Sequence, residues 1–191
     1  MSSLPLEDDP VLGPYVDEHG QLTLDPANDP FERLVVSIVN QQLSTHAAAT
    51  IRERLFESVE PTPQSLLTAD EGTLREAGLS AQKVEYLRSA AREFEERNLT
   101  RERFAEMEDD AVIETMTEIH GVGAWTAKTF LMFGLGREDV FPVEDLGIRR
   151  GMERLFGELT RTEMREEATV WKPYRSIASL YVWRVADEKN P

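Results

Sequence analysis

The tightest constraint on this chain is the run Glu118-Ile119-His120-Gly121-Val122-Gly123-Ala124-Trp125-Thr126-Ala127. Before it, residues 111–118 carry apolar side chains at Ile113 and Met116, with Ile119 just past the end; after it, residues 124–135 place Ala127, Phe130 and Leu131 on one face. The pattern predicts two helices that meet at Gly-Val-Gly. Two glycines flanking one apolar residue suit a tight hairpin that tucks Val122 inward and brings its backbone close to another group. Amides at the start of the second helix then make a site for an anion. Taken alone the turn is equally a plain connection, since a short glycine pattern is weak evidence.

The rest of the chain reads as helices with caps. Asp29-Pro30-Phe31-Glu32 has an N-cap Asp, Pro at the first helical position and Glu three residues after the cap. Phe31, Leu34, Val35, Ile38 and Val39 follow as an apolar stripe. Polar Gln41 and Gln42 interrupt it, and Ser44 caps a helix expected from Thr45 to about Val59. Asp9-Pro10, Thr62-Pro63, Asp70, Ser80, Thr100, the Asp109-Asp110 pair and Pro173 read as further starts, Thr160 to Glu163 as a capping box, and Gly78 as a helix end. Asp145 follows a Phe-Pro turn and precedes Leu146-Gly147-Ile148, where it is a natural N-cap. Without a convincing strand or an internal repeat, the expectation is an all-α protein of about nine or ten helices.

Composition narrows the classes. Cysteine is absent, which excludes disulfides, thiolate zinc sites and cysteine-ligated iron–sulfur clusters. The longest apolar run, Leu34 to Val39, is broken by Ser37 and too short to span a bilayer, and the opening residues lack a basic and then apolar leader. A cytoplasmic, monomeric protein without membrane association is expected. With 36 acidic and 21 basic residues the formal net charge is −15, against the basic balance of an ordinary DNA binder.

Three stretches taken together, Gln41-Gln42-Leu43-Ser44, Gly121-Val122-Gly123-Ala124-Trp125-Thr126-Ala127 and Phe141-Pro142-Val143-Glu144-Asp145, resemble the helix-hairpin-helix (HhH-GPD) DNA glycosylases. The nearest likeness is to the alkylation-repair branch, the 3-methyladenine DNA glycosylase II type. It extends with gaps from about Phe31 to Trp183. The resemblance implies one glycosylase domain over 1–191 with two helical lobes and a DNA-binding cleft between them. Residues 43–138 would form the central lobe, with the hairpin at 118–127, and 1–42 plus 139–191 the second.

The same resemblance assigns roles. Asp145 would be the catalytic carboxylate, with Glu144 as its rival, and Trp125 and Trp183 would line the base pocket. Gln41, Gln42, Leu43 and Ser44 would face the DNA, with Leu43 as an apolar wedge. The amides of Gly121, Gly123 and Ala124 would hold backbone phosphate. A monovalent cation, potassium or sodium, would sit on the carbonyls of Thr117, Ile119 and Val122; no other cofactor is expected. Strand-nicking members carry a Schiff-base lysine two residues after the second hairpin glycine, where this chain has Trp125, so water is the expected nucleophile. A third pocket aromatic of the bacterial enzyme corresponds here to Thr129. The partner would be double-stranded DNA containing a damaged base.

The acidic surplus fits this reading if it answers a salty cytosol. Only Lys83, Lys128, Lys172 and Lys189 are lysines among the 21 basic residues, a distribution that resembles halophile proteins. At about 1 M salt the Debye length shrinks to about 3 Å, so a repelling surface is screened while close contacts persist. The competing class is a non-catalytic helix-hairpin-helix module that binds DNA or protein and needs no acid at position 145.

Overall fold

The computed structural model describes residues 5–188. In chain order the α-helices are α1 (Gly13–His19), α2 (Pro30–Asn40), α3 (Thr45–Ser58), α4 (Pro63–Thr68), α5 (Glu71–Glu76), α6 (Ala81–Glu96), α7 (Arg101–Ala105), α8 (Asp109–Thr117), α9 (Ala124–Phe133), α10 (Leu146–Phe156), α11 (Arg161–Glu167) and α12 (Arg175–Asp187). Short 3-10 turns occupy Pro5–Glu7 and Ala168–Trp171. No strand occurs among the described residues, as the helical periodicity predicts. The twelve α-helices among the described residues exceed the nine or ten expected, the short α5 and α7 at the foreseen starts Asp70 and Thr100 being separate elements. No described helix is long and apolar enough to cross a membrane.

Most starts are set by the caps expected. Asp29, Ser44, Thr62, Asp70, Ser80, Thr100, Asp145 and Thr160 each accept a backbone N–H of the first turn through the side chain. Three expected starts differ. Asp9 takes the N–H groups of Val11 and Leu12 in a turn, and α1 begins only at Gly13. α8 is entered from Glu108, so Asp109 and Asp110 lie inside its first turn, where their charge complements the helix dipole. Tyr174, rather than Pro173, is the residue before α12.

The chain divides into two units, Pro26–Leu135 and the flanking stretches up to Asp25 and from Gly136. This corrects the expected boundary, which put residues 1–42 together in the second lobe. α2 packs on α3, α6 and α9, because its stripe of Phe31, Leu34, Val35, Ile38 and Val39 is fully buried there. Phe31, Phe94, Phe104 and Phe130 form the aromatic centre of that unit, with neighbouring rings 5.0–6.4 Å apart. Each such ring removed from water contributes about 1.5–3 kcal/mol.

In the other unit α10 and α12 pack side by side over Ile148, Met152, Ile177, Ala178, Tyr181 and Val182, with Trp171 buried beneath. A Cβ on Gly151 would fall 2.2 Å from Val182 O, so the close approach of the two helices requires glycine there. Tyr181 OH accepts from Leu22 N and donates to Gly20 O, both at 2.9 Å, which ties the N-terminal segment to α12.

Candidate active site and nucleic-acid interface

Within Pro26–Leu135 the hairpin forms as the sequence requires, with one difference between its glycines. Gly121 has φ +91, a conformation costly for L side chains, and a Cβ there would lie 2.2 Å from Tyr86 Cγ. Gly123 has φ −100 and caps α9, and nothing stands within 4 Å of a Cβ built on it. Val122 is buried and donates its N–H to Ile119 O at 3.0 Å, while Gly123 and Ala124 are exposed. The first N–H groups of a helix have no partner inside it, so the start of α9 presents donors outward beside the dipole's positive end.

The turn Gln41-Gln42-Leu43-Ser44 lies against this hairpin. Gln41 points its side chain inward, where Nε2 donates to Gly121 O at 3.0 Å and to Thr126 Oγ1 at 3.3 Å. Gln42 takes a left-handed backbone, φ 57, and Leu43 is 38% exposed, with its side chain on the surface of the turn. Lys83, from the first turn of α6, donates to Val39 O at 2.6 Å and Gln41 O at 2.8 Å. Burial pulls its pKa below the ordinary lysine value, while the two carbonyls accept from the charged form and oppose that pull. Lys83 is therefore no solvated helix charge. A pocket of about 330 Å³ opens here, lined by Gln42, Leu43, Gln82, Lys83, Tyr86 and Gly121 among others.

Trp125 is half-buried on α9. Thr129 is buried one turn on and donates to Trp125 O at 3.1 Å and Thr126 O at 3.0 Å, so this position supplies no ring face. The expected cation carbonyls lie around the hairpin entry. Ile119 O already accepts from Val122 N, although a carbonyl oxygen has a second lone pair to offer.

In the other unit, Asp145 is the N-cap of α10. Its Oδ1 accepts from Ile148 N at 3.0 Å and from Trp183 Nε1 at 2.8 Å. Two donors on one oxygen fix the orientation of the carboxylate. A Cβ on Gly147 would meet Trp183 Cδ1 at 2.8 Å and Asp145 Oδ1 at 3.0 Å, so this pairing needs glycine at that position. The segment before Asp145 is held in turn by α12. Arg175 binds the Asp139 carboxylate through Nε at 2.6 Å and NH2 at 3.0 Å, and Ser176 Oγ accepts from Val140 N at 2.9 Å while donating to Arg137 O at 2.7 Å. Glu144, the rival acid, pairs with Arg165 at 3.5 Å.

The profile of HhH-GPD superfamily base-excision DNA repair proteins matches residues 35–176. The chain belongs to that superfamily. Among its relatives, DNA-3-methyladenine glycosylase 1 of Schizosaccharomyces pombe is 33% identical over 175 residues, 85% of this chain and 76% of the relative. The solved DNA-3-methyladenine glycosidase of Bacillus halodurans has a TM-score of 0.80 at 34% identity, covering 95% of this chain and 91% of its own. A 3-methyladenine DNA glycosylase of S. pombe in complex with abasic DNA reaches a TM-score of 0.85 at 28% identity, with 95% of each chain covered. These likenesses put this HhH-GPD protein in the alkylation-repair branch. Sequence reasoning missed Gly147 and Gly151, whose four-residue spacing on one helix was the available signal of close packing, and it gave Gln41 and Lys83 no internal bonds.

Proposed function

We infer that this HhH-GPD protein is a monofunctional DNA glycosylase that rotates an alkylated or otherwise damaged base out of duplex DNA and hydrolyses its C1′–N bond. The observation that carries the reading is the Asp145 carboxylate, oriented by Ile148 N and Trp183 Nε1 in a chain of this family. Breaking the bond develops positive charge on the sugar. A fixed carboxylate stabilises that charge and can orient or deprotonate the attacking water. Water adds to C1′ and the base departs with the bonding electron pair. The hairpin amides of Gly121, Gly123 and Ala124 would hold a phosphate without a cationic side chain, and Leu43 would fill the gap left by the base. Trp125 and Trp183 would stack on an electron-poor base, an attraction worth about 0.5–2 kcal/mol. A potassium or sodium ion on the carbonyls of Thr117, Ile119 and Val122 would add positive charge beside that phosphate.

The product tests the mechanism. Incubation with methylated duplex DNA should yield free base and an intact abasic site, because Trp125 stands where a Schiff-base lysine would be. Strand cleavage, or a protein–DNA adduct trapped by borohydride, would assign the nucleophile to an amine such as Lys128.

The charge of −15 belongs to the same proposal as an adaptation to high salt. Base release and helical circular dichroism should then rise together with potassium chloride toward molar concentrations, as repulsion among carboxylates is screened. A basic DNA binder does the reverse through counterion release. An enzyme that meets phosphate chiefly with backbone amides neutralises few charges, so its counterion slope is shallow. Release that collapses with salt while the helices stay folded would count against the adaptation.

A further inference from the structure

Two side chains with no part in the bond-breaking step are anchored on the turn that carries Leu43. Lys83 Nζ holds the carbonyls of Val39 and Gln41, closing the end of α2, and Gln41 Nε2 reaches across to Gly121 O and Thr126 Oγ1. On the other side Ser44 Oγ caps α3 by accepting from Ala47 N at 3.3 Å. Only Gln42 and Leu43 are left between these anchors. A side chain that displaces a stacked base meets an equal reaction force, and a loose surface turn would yield to it instead of moving the base. α6 supplies the stiffness at both ends. Lys83 braces the turn, and Tyr86, one helical turn on, lies under Gly121 of the hairpin.

We propose that Lys83 and Gln41 are positioning residues for base extrusion: they brace Leu43 against the duplex and join it to the hairpin that holds the phosphate. The proposal rests on Leu43 being the wedge. Loss of Lys83 leaves Leu43 present but yielding, so the step that slows is extrusion and not bond cleavage. Extrusion costs least for a base that is already unpaired, which separates this role from a general structural one.

The experiment measures single-turnover release of 7-methylguanine from two oligonucleotides, one with the lesion paired to cytosine and one with it inside an unpaired bubble. Lys83→Met removes both charge-assisted hydrogen bonds to the turn and should release the paired lesion at least about tenfold more slowly, yet stay within about twofold of wild type on the bubble. Leu43→Ala should show the same pattern, and the double variant should be no slower than Leu43→Ala, since Lys83 acts through it. Gln41→Met removes the cross-tie without touching the charge and decides the matter if circular dichroism shows Lys83→Met unfolded. Wild-type release of the paired lesion by both bracing variants overturns the proposal, as does an equal loss on both substrates or effects that multiply in the double variant. Leu43→Ala acting as wild type would remove the wedge assignment and the proposal with it. No release by the wild-type protein from either substrate would instead count against the glycosylase reading and, with it, the proposal.

Discussion

Asp145→Asn is expected to lower base release by about 100-fold to 1,000-fold, the range for removing one preorganised electrostatic stabiliser, while lesion-DNA binding and the fold are kept. The reason is the pair of bonds on Oδ1. An asparagine carbonyl can still accept from Ile148 N and Trp183 Nε1, and Asn caps helices about as well as Asp, so the start of α10 and the Trp183 ring keep their places. What disappears is the negative charge. Asp145→Ala would confuse the result, because it also removes the cap, at a cost of about 1 kcal/mol, and leaves the indole N–H without its acceptor. Glu144→Gln serves as the control. Its carboxylate pairs with Arg165 at 3.5 Å, and the amide keeps its shape while losing the charge, so release should stay close to wild type. Single-turnover release and equilibrium DNA binding, measured on the same preparations, check this. Wild-type release by Asp145→Asn would overturn the assignment of Asp145 as the catalytic carboxylate.

Much of this arrangement was legible in the sequence because local physics dominates it. N-caps such as Ser80 and Thr160 act over three residues, and helix faces repeat at a fixed period, so neither depends on distant partners. The hairpin was legible for the same reason, down to the burial of Val122. What the sequence withheld depends on contacts between remote segments. Gln41 reads as a surface amide until Gly121 and Thr126, some eighty residues on, come within reach of its side chain. Nothing local to Lys83 encodes its bonds to Val39 O and Gln41 O, which form only where the end of α2 is laid beside it. The allocation of α2 to the unit Pro26–Leu135 likewise follows from its apolar stripe finding α6 and α9, which no cap encodes. Gly147 and Gly151 tell the same story, since what each excludes is a side chain or carbonyl of α12.

The two hairpin glycines look interchangeable in the sequence, and the structure gives them opposite expected phenotypes. In Gly121→Ala the new Cβ would stand 2.2–2.6 Å from three ring carbons of Tyr86 at φ +91. The ring cannot simply swing clear, because His120 packs edge-on against it with centroids 5.0 Å apart and its hydroxyl accepts from Gln82 Nε2 at 2.7 Å. Left-handed strain of about 1–2 kcal/mol and overpacking of about 1–3 kcal/mol then act together, so a clear fall in melting temperature and loss of DNA binding are expected. Tyr86→Ala in the same chain should recover part of the stability by opening that space. Gly123→Ala has φ −100 and meets nothing within 4 Å, so its stability should change by no more than about 1 kcal/mol, the preference for Gly over Ala at an N-cap. If a phosphate approaches the amides at the start of α9, that same empty space is where it lies, and the added methyl should weaken DNA binding in a protein that melts normally. Melting curves and binding isotherms for the two variants, side by side, test both halves. A Gly123→Ala protein that binds lesion DNA as wild type would show that the phosphate is held elsewhere.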